Sequence, residues 1–219
     1  MAPHYFPPFK CIVSIESEKT PSATLCLTVG SDLFPTFYRL LGQGFSVTAK
    51  LECTIEQLLC RQLGVSPEYL DQRIQTIFLD GKAVDDVNAA IVRQGSTLAL
   101  SAAMPGLAGA TLRRGGVYAP MRRQISHNKT PMRDQDKEGR ILIKLFNLVA
   151  RELGPAFFKH GIWVSGKNLY EFFRNVPDNF ANGCRAAAID GQPIDPRKLM
   201  SIEWERQYLF IKLIIEESC

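Results

Sequence analysis

The chain has no apolar run long enough to cross a bilayer. Its opening stretch MAPHYFPPFK holds three prolines and none of the continuous apolar character of a secretory signal. A cytoplasmic address with no membrane partner is therefore expected. Histidine is scarce: His4, His127 and His160 are scattered along the chain, so neither a metal cage nor a nucleophile–base pair is legible. None of the G-x-S-x-G, H-E-x-x-H or G-x-G-x-x-G signatures occurs. The six cysteines (Cys11, Cys26, Cys53, Cys60, Cys184 and Cys219) form no C-x-x-C pair and lie in apolar segments, as reduced core thiols do. Gly161, Gly166 and Lys167 occupy the glycine and lysine positions of a phosphate loop, but Asn168 stands where a Ser or Thr would hold magnesium. Ile162, Trp163 and Val164 are also too bulky for backbone N–H groups to wrap a phosphate there. A strand IWV that turns into a helix at Leu169 is the better reading. Asp80 and Asp190 read as turn residues rather than acid–base catalysts. No catalytic residue, metal or cofactor is expected.

What the sequence does contain is enough apolar character, 46% hydrophobic over 219 residues, for one large core or two small ones. Net charge is only +4, yet between Arg113 and Arg140 eight Lys or Arg face Asp134, Asp136 and Glu138, which gives +5 and leaves the remainder at −1. This stretch is poor in aliphatic residues and carries Gly115, Gly116, Pro120 and Pro131. It reads as a basic linker over 113–139 between a domain at 1–112 and another at 140–219, with Arg113, Arg114, Arg122 and Arg123 as a candidate basic patch. Of aromatic residues it has only Tyr118, so it lacks the stacking platform that single-stranded nucleic acid favours.

The segment 44–103 is the most legible. In FSVTAKL, Phe45, Val47, Ala49 and Leu51 alternate with polar residues, the pattern of a half-buried strand. TIEQLLCRQLG follows with a Thr54/Gln57 capping box, Ile55, Leu58, Leu59 and Leu63 on one face, and Gly64 as the stop. IQTIFLDGK is an apolar strand entering an Asp80-Gly81 turn, and Gly95 precedes a last strand around Leu98 and Leu100. The order is strand, helix, strand, turn, strand.

The IFLDGKAVDD and GSTLALSAAMPGLAG segments resemble the small sulfur carriers of molybdopterin and thiamine biosynthesis, which are ubiquitin-like β-grasp proteins. The resemblance covers about sixty residues: Phe78 to Val84 match the family's hairpin, Gly95 to Leu100 its final strand, and Met104 to Gly109 loosely its tail. It implies a carrier tail at Gly109, or at Gly115 and Gly116 after Leu112-Arg113-Arg114, activated by an adenylating enzyme. The family's chemistry needs a free terminal Gly-Gly that can thread a narrow channel. Over a hundred residues follow Gly116 here, so such chemistry would require proteolysis.

Beyond residue 140 the pattern echoes the first half. AAIDGQPIDP repeats IFLDGKAVDD, Leu169, Phe172 and Phe173 repeat the spacing of Ile55, Leu58 and Leu59, and Tyr208 to Phe210 stand where Leu98 to Leu100 would fall. ILIKLF and IWVS then open a second β-grasp-like unit with NLVARELGPAFFKHG inserted between them. Alternatively one helix runs over 139–153 and stops at Gly154-Pro155, since Leu142, Leu145, Val149 and Leu153 also share a helical face. The expected fold is α+β, with a ubiquitin-like N-terminal domain and a smaller C-terminal α+β domain. The expected function is a non-catalytic protein-interaction module with a protein partner. A sulfur-carrier-like role after processing, and weak nucleic-acid binding through the linker, are the alternatives. A linker without apolar anchors should also be cut by trypsin between Arg113 and Arg140 and release two fragments.

Overall fold

The computed structural model describes residues 22–103, 106–117 and 137–218, and its fold is α+β, with helices and mixed sheets. In chain order, β1 (Ser22–Gly30) leads through a 3₁₀ turn, Phe34–Phe37, into α1 (Tyr38–Gln43). Strands β2 (Phe45–Lys50) and β3 (Cys53–Thr54) precede a π-helical segment, Gln57–Gln62, and α2 (Pro67–Gln72). Next come β4 (Thr76–Leu79), β5 (Lys82–Ala83), β6 (Ile91–Val92), β7 (Thr97–Ser101), α3 (Gly106–Leu112), β8 (Glu138–Phe146) and α4 (Asn147–His160). The last part holds β9 (Ile162–Ser165), α5 (Gly166–Phe173), α6 (Phe180–Gly183), β10 (Cys184–Ile189) and β11 (Gln192–Pro193). A 3₁₀ segment (Pro196–Ser201), α7 (Trp204–Gln207) and β12 (Phe210–Ser218) complete it.

Many local expectations hold. The FSVTAKL alternation is β2, with Val47 and Ala49 buried and Thr48 and Lys50 exposed. The capping box forms: the Thr54 N–H donates to Gln57 Oε1 at 2.9 Å and the Gln57 N–H to Thr54 Oγ1 at 3.1 Å. The helix it starts winds with i→i+5 bonds over Gln57–Gln62 instead of as a plain α-helix, with the Leu63 N–H closing onto the Leu58 carbonyl. Ile55, Leu58, Leu59 and Leu63 are all buried. Glu56 and Gln57 are half-buried. SPEYLDQ forms α2; its signal is the Ser66 cap, which accepts from the Tyr69 N–H, followed by Pro67.

The described residues fall into two compact units. One unit comprises 47–150, and the other combines 22–46 with 151–218. In the first, the strand order is β2-β8-β7-β4-β5: the β4–β5 hairpin pairs antiparallel with β7, which pairs parallel with β8. β8 begins inside the stretch read as linker, so the module is not complete within 45–100. Residues 118–136, including Arg122 and Arg123, lie outside the described residues. The single-helix reading of 139–153 fails, because Ile141, Ile143 and Leu145 alternate as buried strand residues before Asn147 turns the chain at φ +54°. The helix that follows runs through Gly154-Pro155 instead of ending there.

The second unit repeats that order with different chain segments, β9-β12-β1-β10-β11. The β10–β11 hairpin pairs antiparallel with β1, β1 parallel with β12, and β12 antiparallel with β9. The strand that answers β7 is therefore β1, not the chain end around Tyr208 to Phe210, and β12 takes the place that β8 has in the first unit. Ala23, Leu25, Leu27 and Val29 of β1 are buried alternately, a period-2 signal present in the sequence but assigned no partner. The core here is aromatic: Phe37 stacks on Phe172 at 4.8 Å, Phe173 on Trp204 at 5.6 Å, and Trp204 Nε1 donates to the Leu199 carbonyl at 2.9 Å. Ser165 caps α5 by accepting from the Asn168 N–H, so the near phosphate-loop sequence forms a strand-to-helix turn. A Cβ on Gly166 would sit 2.1 Å from the Tyr208 carbonyl oxygen, so only glycine permits that approach.

Two outcomes follow. Trypsin cleavage between Arg113 and Arg140 should leave the fragments associated, because β1 and β12 lie on opposite sides of the cut, as do β7 and β8. Native size exclusion should show one species that separates only in denaturant; separate native fragments would contradict the pairing. In denaturant melts, Leu59→Ala should cost about 2–5 kcal/mol as a fully buried leucine. Glu56→Ala should stay within about 0.5 kcal/mol, since its 3.8 Å ion pair is to a largely exposed Arg61.

Candidate functional site

The two Asp-Gly turns are built alike. Asp80 and Asp190 have φ +52° and +50°, and Gly81 and Gly191 +77° and +78°, the left-handed pair of a tight hairpin. The Asp80 N–H donates to the Thr97 carbonyl at 2.9 Å while the Thr97 N–H donates to Asp80 Oδ1 at 2.7 Å. The Asp190 N–H and Thr24 carbonyl meet at 2.8 Å, and the Thr24 N–H reaches Asp190 Oδ1 at 2.7 Å. Past the turns, the Val84 N–H donates to the Ile77 carbonyl and the Ile194 N–H to the Ala187 carbonyl, both at 2.9 Å. Each aspartate thus locks its hairpin to the central strand, which is a structural role.

The candidate tail is anchored. Gly109 is buried in α3, and the chain turns through Gly115 at φ +61°. The Gly115 N–H donates to Asp85 Oδ1 at 3.1 Å, and the Gly116 N–H to the Arg113 carbonyl at 3.2 Å. Arg114 holds the segment in place: its N–H donates to the Gln75 carbonyl at 2.7 Å, and its guanidinium reaches the Leu70 carbonyl at 3.1 Å and Asp71 Oδ1 at 3.2 Å. Those contacts cap the C-terminal end of α2 with a cation, which suits the negative end of a helix. Asp71, Asp85, Asp86, Arg113 and Arg114 line an open cleft of about 620 Å³ beside Gln75. Sequence reading proposed Arg113, Arg114 and Gly115 here but not the three aspartates or α2, which only folding brings to them.

A second feature of the 47–150 unit is a sheet face. Ile141, Ile143 and Leu145 of β8, Leu98 and Leu100 of β7, and Ile77 and Leu79 of β4 are all buried on one side. Strand alternation therefore puts Leu142, Lys144 and Phe146, then Thr97 and Ala99, then Phe78 on the other. Leu142 lies opposite Thr97, Lys144 opposite Ala99, and Ala99 opposite Phe78. Phe78, Ala99, Leu142 and Lys144 are half-buried and Phe146 is 39% exposed, whereas Thr76 and Ser101 close one end of this face at 1% and 6%.

No family model, curated protein or solved structure matches this chain. The site therefore has to be argued from its own chemistry. Among the described residues no group of His, Cys, Asp and Glu is placed to hold a metal ion, and no helix is long and apolar enough to cross a membrane. Cys26, Cys53, Cys60 and Cys184 are free thiols. Burial pushes the Cys60 thiol up to about 11, with Glu56 adding to the shift and Arg61 opposing it. Burial also raises Cys53 and Cys184. Thiols so shifted stay protonated at neutral pH and are poor nucleophiles. His160 is lowered by burial and by Lys159.

Arg114→Ala should destabilise the fold by about 1–3 kcal/mol through loss of the α2 cap, mostly from the carbonyl contact, since Asp71 is largely exposed. Lys82→Ala, at an exposed hairpin position, should change stability by less than about 0.5 kcal/mol. Equal denaturant midpoints for the two variants would remove the capping role.

Proposed function

We propose that the 47–150 unit and its counterpart are both β-grasp-like modules and that the chain is a non-catalytic protein-interaction module. The shared strand order, and the identical bonding of Asp80 with Thr97 and Asp190 with Thr24, support a common module used twice. One observation carries the functional half: the sheet face of Phe78, Ala99, Leu142 and Phe146 leaves apolar side chains partly in water. Apolar surface of that kind is where a protein partner gains most from burial.

The sulfur-carrier reading draws less support. Activation by an adenylating enzyme needs a free, extended Gly-Gly end, and Gly115 and Gly116 are tied through Asp85, Arg113 and Arg114. The nucleic-acid reading through the basic patch also draws less, because the Arg114 guanidinium is committed to α2.

Site-specific photo-crosslinking in cells tests the proposal. A benzophenone side chain in place of Phe78 should give discrete protein adducts, and the same group at exposed Lys198 should not. Absence of adducts at Phe78 would overturn the interaction reading. An intact mass from the same cells corresponding to a chain ending at Gly116 would favour the carrier instead.

A further inference from the structure

We draw no further inference here: the strongest candidate, the half-buried sheet face of Phe78, Ala99 and Leu142 in the 47–150 unit, carries nothing beyond the interaction reading already given, because nothing in the structure shows what covers it.

Discussion

Pairing between β1 and β12 runs in parallel register, from Ser22 opposite Phe210 to Gly30 opposite Ser218, and joins segments almost 190 residues apart. Everything in the unit of 22–46 and 151–218 depends on it. Without β1 the β10–β11 hairpin has no central strand to pair with, and Asp190 loses the Thr24 groups that hold its turn. Closing so long a loop is costly in total, but the cost grows only logarithmically, by about 0.6 kcal/mol per doubling of length. A continuous run of ladder bonds, with Leu25, Leu27, Leu213 and Ile215 buried beneath it, offsets that cost. The 47–150 unit solves the same problem with the shorter β7–β8 pair.

The candidate surfaces follow from this scheme. In the 47–150 unit the parallel pair puts large side chains of β8 beside small ones of β7 on the half-buried sheet face. The Gly-Gly segment, by contrast, is drawn into the fold by Arg114 and Asp85, so the residues that look most like a reactive tail are anchored by hydrogen bonds. Glycine at a turn and glycine at a carrier terminus read alike in sequence, and only the partners of their N–H groups separate them.

Local signals in the sequence determined a good deal. The Phe45, Val47, Ala49 alternation, the Thr54/Gln57 capping box, the Asp80-Gly81 and Asp190-Gly191 turns and the Ser165 cap all act within a few residues, and each formed as its chemistry demands. These are short-range bonds whose donors and acceptors the chain itself brings together. The hairpin echo between IFLDGK and AAIDGQ was legible for the same reason.

Only the tertiary structure decided which strand stands next to which. Period-2 alternation marks β1, β8 and β12 as half-buried strands but carries no record of their neighbours, because a pleated edge can pair with any strand of matching pattern. Hence the sequence could not reveal that Leu25 and Leu27, rather than residues 208–210, answer Leu98 and Leu100, or that β8 belongs with the first unit. The sheet face of Phe78, Ala99 and Lys144 was hidden likewise, since its residues are adjacent only across hydrogen-bonded strands and not along the chain.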